Sequence, residues 1–65
     1  MIIVINGEET ELELETLADV VNHFKLDENL VVTEVDGSII EIEQRTQTKL
    51  SEGMKIEIVQ FVGGG

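Results

Sequence analysis

Only one stretch of the chain has the hydrophobic period of an α-helix, and strand-like segments lie on both sides of it. Its apolar residues recur at the i, i+3, i+4 and i+7 spacing of a helical stripe: Leu17, Val20, Val21 and Phe24. Thr16 is a good N-cap, and Asp19 completes a pair similar to a capping box. We therefore predict a helix near residues 16–25, with Lys25 in the last turn, where a cation suits the helix dipole.

Two strand-like segments precede this helix. Residues 1–5 are rich in β-branched side chains and apolar on both faces, which is typical of a strand in the middle of a sheet. Asn6-Gly7 is the strongest short signal for a hairpin, because a type I′ turn needs a positive φ at both central residues. Residues 10–15 then alternate between polar and apolar, so we predict a second strand with Leu12 and Leu14 facing the core.

Further strands are predicted after the helix. Residues 30–35 form a second β-branched run, Asp36-Gly37 signals another tight turn, and residues 38–42 can return as a shorter strand. Residues 43–52 are mostly polar and suit a loop or a single helical turn. Residues 54–61 alternate cleanly and predict the last strand, with one apolar side formed by Met54, Ile56 and Ile58.

The order of the elements is therefore strand, strand, helix, strand, strand, strand. One helix cannot cover both faces of such a sheet, so we expect it to lie across one concave face. The first strand is apolar enough for the sheet centre, beside the equally apolar last strand. These features predict an α+β fold of the β-grasp type, a mixed sheet of about five strands with one main helix across one face.

The size of the chain limits it to one domain. Its 65 residues leave no room for a second core. We assign residues 1–62 to the β-grasp domain and residues 63–65 to a flexible C-terminal glycine tail, because glycine loses the most entropy on ordering. Hydrophobic residues make up 42% of the chain, enough for a globular fold. There is no cysteine, which excludes a disulfide or a thiolate metal site.

The charge of the chain limits the classes of molecule that it can bind. The sequence has 14 acidic and 4 basic residues, and its formal net charge is −10. Nucleic acid and anionic lipid surfaces would repel such a protein, whereas a basic docking face on a partner would attract it. Solubility of a small domain explains the charge equally well. The apolar start is too short for a secretory signal, and no apolar run approaches the roughly 20 residues that span a bilayer, so we expect a cytoplasmic protein.

The sequence offers little for catalysis. It has one histidine and no cysteine or tyrosine, so no Ser/His/Asp or Cys/His set can be assembled convincingly. His23 lies at the flank of the helical stripe and is expected at the surface. The strand glutamates alternate with apolar residues and predict a solvated face. Cation binding by Glu11, Glu13 and Glu15 lacks the spacing of a calcium loop. We predict no catalytic residue, no metal and no bound cofactor.

Gly63, Gly64 and Gly65 end the chain just after the last predicted strand, separated from it by Val62. They add nothing to a core and have no side chains for specific recognition. Such a tail can enter a narrow channel as bare backbone and present the C-terminal carboxylate with little steric hindrance. A carboxylate is a poor electrophile, so it would first need activation, for instance by adenylation on a partner enzyme. A frayed terminus or an expression scar is the alternative explanation.

The order of elements, the length and the final sequence Phe61-Val62-Gly63-Gly64-Gly65 resemble the ThiS family, the ubiquitin-like β-grasp sulfur carriers of thiamine biosynthesis. The resemblance covers essentially the whole chain. Besides the final residues, it is carried by residues 3–8, 31–37 and 56–59 and by Leu17, Leu50 and Gly53.

The resemblance implies a chemical role for the tail. An E1-like enzyme would use ATP to adenylate the C-terminal carboxylate of Gly65, and a sulfur donor protein would supply the sulfur that converts it to a thiocarboxylate. The thiocarboxylate would then donate sulfur to a thiazole synthase, so the chain would be a co-substrate rather than an enzyme. By position, Gly63 and Gly64 would enter the partner's active site. Phe61 and Val62 would dock the partner, although an ordinary core position is an equal alternative for Phe61.

Departures from the family pattern concern partner contacts. After the Asp36-Gly37 turn the family commonly has Pro-Arg and then an aromatic residue, where this chain has Glu41, Ile42 and Arg45. After the glycine of the last turn the family often has aspartate, where this chain has Met54. These positions are candidates for contacts with partner proteins.

Other functions are compatible with the same features. The small subunit of molybdopterin synthase shares the fold and the diglycine end, but it is usually longer and often has a proline shortly before the tail. This chain has no proline. A modifier that forms isopeptides on lysines, or an interaction module that is never conjugated, is an alternative of a different class.

Overall fold

The computed structural model describes residues 1–61 as one mixed sheet of five strands with a single α-helix packed on one face. The strands are β1 (Ile2–Ile5), β2 (Glu8–Glu11), β3 (Val31–Val35), β4 (Ser38–Ile40) and β5 (Lys55–Gln60), and the helix is α1 (Leu17–His23). A 3-10 helix (Ile42–Gln47) lies between β4 and β5. The sheet order is β2-β1-β5-β3-β4, with β1 and β5 parallel and the other neighbours antiparallel. The predicted β-grasp fold is confirmed.

The described residues end at Phe61. Val62 and the predicted tail of residues 63–65 lie outside them. Along residues 1–61, no helix combines the length and the apolar character that a bilayer crossing requires.

The first hairpin turns at Asn6 and Gly7, whose φ angles are 50° and 81°, as a type I′ turn requires. Strand β2 begins directly after this turn, so the strand predicted over residues 10–15 was placed too late. Pairing with β1 ends at Glu11, opposite Ile2, because β1 itself has only four residues. Leu12 and Leu14 follow the strand but still face the core, as predicted: Leu12 is buried and Leu14 packs against the core cluster.

The capping box of α1 is present. The Asp19 N–H donates to Thr16 Oγ1 at 3.2 Å, and the Thr16 N–H donates to Asp19 Oδ2 at 3.0 Å. The helix is shorter than predicted, because it ends at His23 and Lys25 adopts a left-handed φ of 56°. Phe24 therefore lies beyond the last helical turn and is 43% exposed, so its predicted place in the buried stripe was wrong.

The core lies between α1 and the sheet. Its buried members come from β1, β5, the helix and the loops around them: Ile3, Leu12, Leu17, Val20, Leu50 and Ile56. Burial of each such side chain contributes roughly 1.5–3 kcal/mol. Strand β1 is an interior strand beside β5, as expected, but β5 takes the central place. Ile2 is exposed, because the sheet face opposite α1 carries no helix within the described residues.

Arg45 is the buried polar anchor of the 3-10 helix, with an exposed fraction of only 3%. Its Nε donates to Thr33 Oγ1 at 3.1 Å, Nη1 to the Glu28 carbonyl at 2.9 Å and Nη2 to the Val31 carbonyl at 2.7 Å. The expectation that Arg45 contacts partner proteins is therefore wrong, since it lies inside the fold. Met54 also packs against the core cluster, whereas Ile42 is exposed.

We predict that Arg45→Ala lowers the free energy of unfolding by roughly 2–4 kcal/mol, because it leaves buried carbonyls without donors and opens a cavity. Urea denaturation followed by circular dichroism measures the change. Lys49→Ala is the matched control, since Lys49 is exposed and its loss should change stability by less than about 0.5 kcal/mol. Equal stabilities of the two variants would contradict the anchoring role of Arg45.

The amino group of Met1 is held by two carboxylates. It donates to Glu11 Oε2 and Glu13 Oε1, both at 2.7 Å, and to the Leu12 carbonyl at 3.1 Å. Hydrogen bonds to Glu11 and then to Glu13 raise the pKa of this amine from 8.0 to about 10. The contact ties the start of β1 to the segment that follows β2.

This contact predicts a stability change at alkaline pH. The folded pKa is raised, so the stabilisation is complete below pH 8.0 and is lost as the pH rises through about 10. Urea midpoints measured between these pH values should fall for the natural chain. They should fall less for a Glu11→Gln, Glu13→Gln double variant, because this variant lacks the two carboxylates that raise the pKa of the amine. If the urea midpoints of the natural chain and the double variant fell equally with pH, the contact would not stabilise the fold.

Candidate functional site: the end of strand β5

The tail is attached to the central strand of the sheet. Strand β5 has β1 on one side and β3 on the other, and its last residue, Gln60, pairs with Val31. Phe61 follows directly and is the last described residue. The root of the tail, which we define as Ile58 to Phe61, thus leaves the middle of the sheet rather than an edge.

Hydrogen bonds hold this root from both sides. On the β3 side, the Phe61 N–H donates to the Leu30 carbonyl at 2.7 Å. On the β1 side, the Ile58 N–H donates to Asn6 Oδ1 at 2.8 Å, and Asn6 Nδ2 donates to the Ile58 carbonyl at 3.3 Å. The backbone is therefore fixed up to the last described residue.

Phe61 lies at the surface. Side chains of β5 alternate, so Ile56 and Ile58 face the core whereas Val59 belongs to the opposite, open face of the sheet. Phe61 is 57% exposed, which decides against the ordinary core position that the sequence left as an alternative. The register places further apolar residues on the open face, and we define the apolar patch as Val32, Ile39, Val59 and Phe61.

Carboxylates border this patch. Glu34 and Glu57 are directly opposite each other on β3 and β5, and Ile39 pairs with Glu34 on the other side. Like charges in opposite positions repel, so a cation placed between them would relieve the repulsion. Lys55 lies on the same face two residues before Glu57, so the border of the patch is mixed, with more acidic than basic residues. Such a face suits a partner that has an apolar centre and mainly basic side chains around it.

A groove lies on the other face of the sheet at the same end. It has a volume of about 450 Å³, a floor that includes Ile5 and Ile58, and an apolar wall formed by Phe24 and Leu26. It exists because the seven-residue α1 does not cover this end of the sheet. Asn6 also lines it, beside the root of the tail.

The side chains that the sequence offered for catalysis or cation binding lie at the surface of residues 1–61. His23 is exposed, and its ring packs edge-on against Phe24 with 5.0 Å between the centroids. Among residues 1–61, no group of three or more His, Asp or Glu side chains is placed to hold a metal ion. Glu11 and Glu13, considered as cation ligands from the sequence, instead bind the Met1 amino group.

The structure brings together only part of the predicted site. Phe61 lies where the tail leaves the sheet, whereas Val62, Gly63, Gly64 and Gly65 are outside the described residues. Sequence reasoning missed the contacts of Asn6 and Leu30 with the root. The Asn-Gly pair predicts only a turn, and the signal for the second role is the side-chain amide of asparagine, which offers a donor as well as an acceptor.

Comparisons with known proteins agree with this geometry. The model of the ThiS family matches residues 3–65. A crystal structure of the thiamine biosynthesis protein ThiS from Geobacter metallireducens has a TM-score of 0.81 and 25% identity, with complete coverage of both chains. A solution structure of a thiamine biosynthesis protein from the same organism has a TM-score of 0.82 and 23% identity, and covers all of this chain and 88% of the other. No curated protein sequence matches. Because the family model spans nearly the whole chain, the protein belongs to the ThiS family.

Proposed function

We propose that the protein is the sulfur carrier that supplies sulfur for thiazole formation in thiamine biosynthesis. The observation that carries the proposal is the match to the ThiS family, which runs through the final glycines to Gly65. The crystal structure of the Geobacter metallireducens thiamine biosynthesis protein, which covers this chain completely, also supports it.

The proposed chemistry takes place at the C-terminal carboxylate of Gly65. A carboxylate oxygen attacks the α-phosphate of ATP on an E1-like enzyme, pyrophosphate leaves, and an acyl adenylate forms. Hydrosulfide (HS⁻) released by a donor protein then attacks the acyl carbon, AMP leaves, and loss of the S–H proton gives a thiocarboxylate. The partner thiazole synthase takes the sulfur from this group. ATP binds to the activating enzyme, and this chain is its protein co-substrate.

The tail is suited to this chemistry because the glycines that precede its carboxylate have no side chains to obstruct a narrow active site. The fold holds the residues from which the tail starts. The root is hydrogen-bonded to both neighbouring strands, so the partner does not have to order the residues up to Phe61. A segment that is already ordered before binding leaves more of the interaction energy for affinity. Gly63 and Gly64 would then lie in the partner's active site.

We further propose that the partner docks on the open face through Phe61 and Val62 and the neighbouring apolar patch. An aromatic side chain that is more than half exposed beside other apolar residues is a typical anchor of an interface. The excess of acidic residues at its border supplies the long-range attraction to a basic partner. Ile42 lies apart from this patch, after β4, and is exposed on its own.

Intact mass spectrometry tests the chemistry. Incubation with an active E1-like enzyme, ATP and a sulfur donor should raise the mass by the difference between one sulfur and one oxygen atom. A variant that lacks Gly64 and Gly65 should stay folded and show no change. The carrier function would be refuted if the mass of the full chain stayed unchanged with an E1-like enzyme that is shown to be active on another carrier protein.

The alternative functions predict different products. Transfer of sulfur to a molybdopterin synthase but not to a thiazole synthase would assign the chain to the molybdopterin pathway. A product in which the chain is joined to a lysine would indicate a protein modifier.

Phe61→Ala tests the docking surface. We expect the KM for the E1-like enzyme to rise roughly ten- to hundredfold, because buried aromatic anchors carry much of an interface's binding energy. Stability should change little, since Phe61 is largely exposed. Phe24→Ala is the matched control, because Phe24 is also exposed but lines the groove on the opposite face.

The interpretation depends on the difference between the two phenylalanine variants. If Phe24→Ala raises KM as much as Phe61→Ala does, the partner does not distinguish the two faces and docking on the open face is wrong. The KM of the natural chain should also increase with salt, since the attraction to a basic partner is screened within about 10 Å at 0.1 M ionic strength.

A further inference from the structure

The side chain of Asn6 takes the place of a backbone peptide group in the sheet. The ladder between β1 and β5 has its last register pair at Ile5 and Ile56. The Asn6 N–H still donates to the Ile56 carbonyl at 2.8 Å, but its φ of 50° turns the following chain away into the hairpin. Its side-chain amide then accepts from the Ile58 N–H and donates to the Ile58 carbonyl. One primary amide thus adds a further rung to the parallel ladder.

This rung matters because β5 extends beyond its partner on that side. Strand β5 has five register pairs with β3 but only two with β1. The backbone groups of successive β5 residues point alternately to β3 and to β1. The Phe61 N–H bonds to Leu30 on the β3 side, whereas Ile56 and Ile58 bond to Asn6 on the β1 side. Without the Asn6 amide, the Ile58 N–H and carbonyl would lack these partners. The last contact before Phe61 on the β1 side would be lost.

The second Asx-Gly turn of the chain shows that asparagine has a specific role here. Asp36 also has a left-handed φ, of 49°, so aspartate is accepted in a turn of this kind. Its side chain accepts one hydrogen bond, from the Lys55 N–H at 3.2 Å. The Asn6 side chain faces Ile58, whose backbone presents an N–H donor and a carbonyl acceptor together. Only an amide matches both, because a carboxylate has no hydrogen to donate at neutral pH.

We propose that Asn6 is a positioning residue for the C-terminal tail: its side-chain amide holds the end of β5 and so sets where the chain leaves the sheet towards the partner's active site. The inference rests on the proposed carrier function. Asn6 touches none of the reacting atoms, and it acts through Ile58 on the residues that precede the tail. Loss of the amide frees the root, so the partner must order the root when it binds.

Two substitutions distinguish the role of the Asn6 side-chain amide from the role of Asn6 in the turn. Asn6→Gly removes the side chain and keeps a residue that adopts positive φ without strain. Asn6→Asp keeps the shape and the acceptor but removes the donor. Asp36→Gly is the matched control at the other turn, since it removes an acceptor far from the root.

Hydrogen exchange followed by NMR gives the first readout and needs no partner. In Asn6→Gly, the amides of Ile58 and Phe61 should exchange about tenfold faster or more, whereas the amide of Val20 should change little, because local opening is confined to the end of β5. Asn6→Asp should be intermediate, and Asp36→Gly should leave both root amides unchanged. Unchanged exchange at Ile58 and Phe61 in Asn6→Gly would overturn the inference, whatever the function of the tail.

Steady-state adenylation by the E1-like enzyme gives the second readout. We expect the KM for Asn6→Gly to rise about fivefold or more with kcat within about twofold, because the added ordering occurs on binding. Faster exchange with an unchanged KM would overturn the positioning role and leave the carrier function intact. Failure of the active enzyme to modify the natural chain would overturn the proposed function and the positioning role with it.

Discussion

The parallel pairing of β1 with β5 joins the two antiparallel halves of the sheet, and the other features of the fold depend on this joint. It consists of only two register pairs, Val4 with Lys55 and Ile5 with Ile56. Parallel partners cannot be joined by a tight turn, so the connection between them is long and contains β2, the helix, β3, β4 and the 3-10 helix. Ile3 and Ile56 are fully buried beside the joint, so helix packing stabilises a pairing that its hydrogen bonds alone would leave weak.

The burial of Arg45 removes a positive charge from the protein surface, and its guanidinium also anchors β3. One of the four basic residues is removed from solvent, where most of the fourteen acidic residues remain. The guanidinium donates hydrogen bonds to carbonyl and hydroxyl oxygens rather than to a carboxylate, so no acidic residue is buried with it. Glu34 and Glu57 remain beside the apolar patch on the open face, with Lys55 two residues before Glu57.

The sequence predicted the parts of the fold that local physics decides. The capping box at Thr16 and both Asx-Gly turns occur where predicted, since each depends on a few adjacent residues. Features that depend on tertiary partners were missed. Phe24 fits the helical period but lies past a helix that stops early, and Arg45 looked like a surface cation because its acceptors are distant in sequence. Asn6 was recognised as a turn residue, and only its contact with Ile58 revealed the second role.

The parallel arrangement also separates the start of β1 from the end of β5 in space. Since β1 and β5 run in the same direction, the amino group of Met1 and the end of β5 at Phe61 lie at opposite ends of the sheet. A label on the amino group would therefore leave the exit of the tail unobstructed. The chemistry of attachment still matters, because acylation removes the charge that Glu11 and Glu13 bind, whereas reductive alkylation preserves it. A fluorophore attached by alkylation would report on partner binding without loosening the start of β1.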